Sequence, residues 1–236
     1  MGELVDLSII RKLITYPYYV EDISDFRIKK LRSLGIRGVY NYGSVVVNSF
    51  RILGKGHASI VLLVSHELLG DVVVKVRRLD SKRSSLTNEG YIMSLVKYDV
   101  VPKVYYYDDD FIIMEYLDGI LLGNYVKLCS DEELIKVFIK VFEAAYKLDL
   151  NLIDHLELSR PYKHVMVLRD GNVKFLDFES ARVSETPCNL CRVFSSFVDI
   201  FKLRDIPHIR ILLKAYKLGR KELFKDIIDS ILLSIK

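Results

Sequence analysis

Between Phe50 and Glu115 the apolar residues of this chain come mostly in short runs bounded by turn residues, the densest being Val72-Val73-Val74-Lys75-Val76. Over Leu134–Leu148 they recur at helical spacing along one face, and beyond Pro187 the spacing is helical throughout. Short β-branched runs predict strands, and long stripes of period 3.6 predict helices. Strands early and helices late predict an α+β chain of two lobes, β-rich first and helical second. With 236 residues, half of them hydrophobic, the chain is long enough to bury a core in each lobe.

Charge and cysteine content narrow the classes. A net charge of +4 suits an anionic ligand such as a nucleotide without requiring nucleic acid. No apolar run approaches the ~18 residues of a membrane span. The start, MGELVDLSII, has no positive region ahead of an apolar core, so no secretory signal is expected and a cytoplasmic location is. Cys129, Cys188 and Cys191 are too few for a disulfide framework. Cys188-Asn189-Leu190-Cys191 lacks the second pair of a zinc site, so all three are expected as thiols in a reducing compartment.

Three segments follow in order. Residues 1–49 read as a helical extension, with helical spacing over Val5–Leu13 and a basic amphipathic helix over Phe26–Leu34. Arg27, Lys29, Lys30, Arg32 and Arg37 give it a positive face, either solvated or in contact with RNA or a ribosomal partner. Residues 50–117 read as the first lobe. Two strand-like runs flank Gly54-Lys55-Gly56-His57-Ala58-Ser59, where glycine lets backbone N–H groups approach phosphate oxygens. This turn joins strand to strand and opens no helix, so it is neither a dinucleotide fingerprint nor a Walker loop. Lys75 sits in an apolar strand, where an ammonium needs an anion. Glu89, on a helix expected over Ser84–Tyr98, is a candidate for that anion. Val104–Tyr107 and Phe111–Glu115 predict a hairpin leading into a linker.

Residues 118–236 read as the second lobe. Ser130-Asp131-Glu132-Glu133 is a capping box that opens a long helix. Val165–Leu168 and Val173–Leu176 predict a hairpin across Arg169-Asp170-Gly171-Asn172, which delivers Asp177 at its exit, a carboxylate able to hold a divalent cation. Helices are expected over Asn189–Leu203, Pro207–Leu218 and Lys221–Ile235.

The order of these parts resembles the protein-kinase fold, closest to its small atypical members: the RIO family, the KEOPS-complex kinase and archaeal predicted serine/threonine kinases. The resemblance covers roughly residues 50–205. It implies that the backbone of Gly54, Lys55, Gly56, His57, Ala58 and Ser59, with Val61 beside it, covers the phosphates of ATP. It implies further that Lys75 contacts the α- and β-phosphates and pairs with Glu89, that Glu115 and Leu117 bond adenine through their backbone, and that Asp177 of Asp177-Phe178-Glu179 chelates Mg²⁺.

The catalytic loop departs from the family pattern of His-x-Asp-Leu followed by Asn. His155-Leu156-Glu157-Leu158 puts Glu157 where the family has its aspartate base, and a two-residue longer loop puts His164 at the asparagine. Reading one frame later puts Ser159 at the base instead. A glutamate orients a hydroxyl as an aspartate does, and a histidine ligand favours Mn²⁺ over Mg²⁺. Lys163 is a further candidate, a cation for the transferring phosphoryl group. No A-P-E motif and no long activation loop fit between Glu179 and Cys188. The expected activity is ATP-dependent transfer to serine or threonine hydroxyls, of a protein substrate or of the chain itself. A non-catalytic nucleotide-binding scaffold and a small-molecule kinase are the alternatives.

Overall fold

The computed structural model describes residues 2–201 and 207–235. It is α+β, sheet-rich first and helical later, and divides into two compact units: Met1–Tyr91 with Lys103–Tyr116, and Ile92–Pro102 with Leu117–Lys236. Among the described residues no helix is long and apolar enough to cross a membrane.

In chain order the strands of the first unit are β1 (Leu4–Val5), β2 (Ile36–Tyr40), β3 (Val45–Val47), β4 (Phe50–Ile52), β5 (Gly54–Lys55), β6 (Ser59–His66), β7 (Gly70–Arg77), β8 (Val104–Tyr107) and β9 (Phe111–Glu115). Its helices are α1 (Arg11–Ile14), α2 (Glu21–Ser33) and α3 (Thr87–Ser94), the end of α3 belonging with the second unit. The main sheet runs β1-β2-β6-β7-β9-β8 with β5 on β6, all antiparallel, and β3 pairs β4 apart from it.

The Val72–Val76 run is apolar without alternation because β7 is buried on both faces. On one face Leu62, Val64, Val72, Val74 and Phe111 pack in a single core with Leu7, Ile10, Ile14 and Leu31. Lys75 alternates onto the other face. The segment before residue 50 is therefore half of this core and not a separate extension: its strands extend the sheet and its helices cover it.

The cations of α2 join in. Arg27 is buried, donates to the carbonyls of Ile14 at 2.7 Å and Arg77 at 2.9 Å, and pairs with Asp110. Lys30 reaches Asp108 at 2.5 Å and Arg32 reaches Asp6 at 3.1 Å.

The second unit contains β10 (Gly119–Leu121), α4 (Leu122–Tyr125), α5 (Asp131–Leu150), β11 (Ile153–Asp154), β12 (Val165–Leu168), β13 (Val173–Phe175), β14 (Arg182–Val183), α6 (Asn189–Phe201), α7 (Pro207–Lys217) and α8 (Phe224–Ser234). β10, β12 and β13 form one antiparallel sheet, and β11 pairs β14. Helix α5 starts at its capping box: the Ser130 hydroxyl accepts from the Glu133 N–H at 3.3 Å, and the Glu133 carboxylate accepts from the Ser130 N–H at 2.8 Å. Its stripe of Leu134, Val137, Phe138, Val141, Ala145 and Leu148 is buried, with Phe138 and Phe142 each 5.2 Å from the Phe197 ring of α6.

Several expectations change. Leu4–Val5 is a short edge strand and Leu7–Ile10 a 3-10 turn, so Val5–Leu13 is not one helix; pairing with Val39 and Tyr40 takes its first residues. The α2 helix begins at Glu21, ahead of Phe26. The helix expected over Ser84–Tyr98 is only Thr87–Ser94, because the Ser85 hydroxyl turns the chain by accepting the Thr87 N–H at 2.9 Å. The strand run ending at Leu176 stops at Phe175. Cys188 and Cys191 are joined as a disulfide, correcting their reading as thiols, since one helical turn holds their Cα atoms 5.2 Å apart. Cys129 is a free thiol. The expected end of α6 at Leu203 lies outside the described residues.

Asp149 at the end of α5 is buried and accepts from the Asn189 N–H and side-chain amide, each at 2.8 Å, and from the Tyr216 hydroxyl at 2.7 Å. Burial outweighs these donors and lifts its carboxyl from 3.8 to about 6. The folded chain thus holds this proton more tightly than the unfolded chain. The stabilisation is complete below pH ~4 and is lost as pH rises through about 6, a change on the order of 3 kcal/mol. Urea unfolding between pH 4 and pH 7 should show that slope, and Asp149→Asn should flatten it. An unchanged slope in the variant would remove Asp149 as its source.

Candidate functional site

The first unit holds the buried lysine and its partner. Lys75 lies in register between Val61 of β6 and Ile112 of β9, and its ammonium meets the Glu89 carboxylate of α3 at 2.7 Å. Both are buried. Glu89 reaches Lys75 because α3 sits close to β8. A Cβ on Gly90 would lie 2.4 Å from the Tyr107 Cβ, so only glycine permits this approach. The sequence reading passed over Gly90; a glycine inside a helical pattern was its signal.

Gly54 and Lys55 form β5 and pair with Val61 and Ile60, so the glycine-rich turn is the tip of a hairpin. It closes through the Gly56 N–H donating to the Ser59 carbonyl at 2.8 Å. Lys55, Gly56 and His57 are exposed; Ala58 and Ser59 are buried. The turn is anchored from outside: Arg78 donates to the Gly56 carbonyl at 2.8 Å, and Lys55 to the Tyr16 hydroxyl at 2.8 Å. Glu115 ends β9, its N–H donating to the Lys103 carbonyl at 2.8 Å. Leu117 begins the longer stretch of the second unit and is buried.

The second unit brings three other candidates together. The β12–β13 register pairs Val165 with Phe175, so one step outward His164 stands opposite Leu176, and the Leu176 N–H donates to the His164 carbonyl at 2.8 Å. Asp177 follows directly. Its φ of +63° is left-handed, which an aspartate tolerates at a cost of about 1 kcal/mol. That turns the chain out of the strand and leaves the residue exposed. Glu157 arrives from the loop after β11, its Oε2 3.1 Å from the buried His164 Nε2. One ligand atom each from Glu157, His164 and Asp177 lies within 4.8 Å of the others. Of the two loop residues read as alternatives, Glu157 joins this cluster. Lys163 is exposed on the 3-10 turn before His164.

His155 fixes this cluster. It is fully buried, and burial lowers its pKa, so the ring is neutral. Its Nε2 lies 3.0 Å from the Leu176 carbonyl, which only accepts, so Nε2 carries the proton. That leaves Nδ1 to accept the Glu157 N–H at 3.4 Å. One imidazole therefore ties the backbone before Asp177 to the backbone of Glu157. Phe178 packs edge-on against it, with ring centroids 4.7 Å apart. The His155 N–H donates to the Asn189 side chain at 2.8 Å, and Asn189 also holds the Ile153 carbonyl at 2.6 Å. Asn189 was missed in the sequence; an amide residue at a helix start was its only mark.

A divalent ion with bonds of about 2.1 Å needs ligand atoms ~3–4 Å apart, and the three ligand atoms here lie within 4.8 Å of one another. A carboxylate with an imidazole suits Mn²⁺ better than Mg²⁺, which prefers oxygen alone. Among the described residues the buried His164 Nδ1 has no hydrogen-bond partner, while Nε2 of the same ring faces Glu157 Oε2.

Gly90→Ala should force α3 away from Tyr107 and part Glu89 from Lys75. The expected loss in urea unfolding is about 1–3 kcal/mol. Unchanged stability would mean that the helix does not need this approach.

The sequence matches no protein-family model and no curated protein.

Proposed function

We propose that this chain is an ATP-dependent phosphotransferase acting on serine or threonine hydroxyls. The observation that carries the reading is the Glu157–His164–Asp177 cluster, held by a buried neutral imidazole at the exit of a hairpin. Phosphoryl transfer needs little covalent chemistry from a protein. It needs a clamp for the phosphates and a carboxylate that orients the attacking hydroxyl. Lys75, held in place by Glu89, supplies a cation for phosphate oxygens, and the hairpin tip at Gly54–Ser59 supplies backbone N–H groups. Asp177 and His164 are the proposed ligands for Mg²⁺ or Mn²⁺, which when bound offsets the charge developing on the phosphoryl oxygens. Glu157 is the proposed base, and Lys163 a second cation beside the transferred group.

One observation favours a second reading, a nucleotide-binding scaffold without turnover. Both Glu157 oxygens are engaged: Oε2 by His164, and Oε1 by the Ser180 hydroxyl. A base so occupied orients an incoming hydroxyl only after one contact is released.

Transfer of labelled γ-phosphate from ATP, with Mg²⁺ and Mn²⁺ in parallel, separates the two. Under the first reading wild type incorporates label faster with Mn²⁺, Lys75→Ala and Asp177→Ala lose it, and Glu157→Gln falls by about 100-fold or more. His164→Asn, which restores an oxygen donor, should move the preference toward Mg²⁺. ATP-dependent thermal stabilisation without transfer, abolished by Lys75→Ala, would replace the first reading with the second.

A further inference from the structure

The contact between Ser180 and Glu157 lies just past the short β11–β14 ladder. β14 pairs with β11 so that Arg182 faces Asp154 and Val183 faces Ile153. The Ser184 N–H donates to the Leu152 carbonyl at 2.8 Å, which extends the strap. Beyond the ladder both segments turn, and the Ser180 hydroxyl donates to Glu157 Oε1. The backbone there is fixed on both sides: the Ala181 N–H donates to the Phe178 carbonyl at 3.0 Å, and Phe178 is buried against His155. A loose surface serine would not be held this way.

A general base must lie within hydrogen-bond reach of the hydroxyl whose proton it takes. Among the described residues, Ser180 is the hydroxyl seen on Glu157. Asp177, whose carboxylate belongs to the same cluster, is three positions earlier in the chain. We propose that Ser180 is a phosphoacceptor of this chain, modified within the same molecule. The inference rests on the phosphoryl-transfer reading above and names its substrate. In the step, the Ser180 Oγ forms a bond to the γ-phosphorus of ATP and its proton passes to Glu157. The bond from that phosphorus to the β,γ-bridging oxygen breaks, and ADP leaves with the electron pair. Phosphoserine and ADP are the products, and no oxidant or reductant is involved. The phosphate then stands beside the Glu157 and Asp177 carboxylates, and like-charge repulsion drives it off Glu157. The modification thereby frees the base that Ser180 had occupied.

The test is intact mass and tandem mass spectrometry of phosphatase-treated protein after incubation with ATP and Mn²⁺. A generic acceptor protein is included in a parallel tube. The expected result is one phosphoryl group per chain, on Ser180, at a rate that does not change with protein dilution. Ser180→Ala should lose it, and Ser180→Thr should carry it at the same position, which guards against a variant that merely misfolds. Phosphate on other residues with Ser180 unmodified, or a rate that rises with protein concentration, would overturn the inference and leave phosphoryl transfer standing. Label on the added acceptor alone would do the same. No label on either protein would overturn this inference and the phosphoryl-transfer reading together.

Discussion

The second unit is organised by one buried imidazole. His155 has no exposed surface, so its charged form is disfavoured and the ring is held neutral. A neutral ring has one donor and one acceptor, and both are used: the donor on the Leu176 carbonyl, the acceptor on the Glu157 N–H. Two segments about twenty residues apart in the chain are thereby fixed to each other at the backbone, with Asp177 at the end of one and Glu157 on the other. Asn189 and Asp149 hold the His155 end in turn, and Phe178 closes the remaining side of the ring. A protonated His155 would have no acceptor to offer Glu157, so the cluster depends on the burial that keeps the ring neutral.

The first unit obeys a different constraint, the cost of a charge inside a sheet. Lys75 alternates away from the core that Leu7, Ile10, Ile14 and Leu31 build with β6 and β7, and it meets Glu89 on the opposite face. Those four residues belong to the segment before residue 50. The same segment sends Tyr16 to Lys55 at the glycine-rich hairpin tip, and Arg27 to Asp110 at the β8–β9 turn. The opening of the chain is thus a wall of the unit, and much of its positive charge is balanced internally by Asp110, Asp108 and Asp6.

Much of this could be read from the residues. The capping box placed the start of α5, the β-branched run placed β7, and the Arg169–Asn172 turn placed the hairpin before Asp177. Each is a local signal, decided by neighbours in the chain. What escaped depends on distant partners. Leu4–Val5 looks helical until Val39 and Tyr40 pair with it. The closeness of α3 to β8 rests on Gly90 meeting Tyr107, which no spacing predicts. The contact of Ser180 with Glu157 joins two turns past a two-residue ladder, and neither leaves a pattern in the sequence. The Cys188–Cys191 bond was misread because a lone Cys-x-x-Cys carries no sign of its redox state. Candidate site residues inside strands and caps were legible, and the residues that hold them from other elements were not.

In the proposed reading Asp177 and His164 hold a divalent ion that meets the phosphates of ATP. Crystals grown with Mn²⁺ and a non-hydrolysable ATP analogue test it by anomalous scattering at the manganese edge. The expected result is a manganese peak bonded to an Asp177 oxygen, a His164 ring nitrogen and phosphate oxygens of the analogue. Nucleotide bound with no manganese at these side chains, or manganese bound only elsewhere, would contradict it.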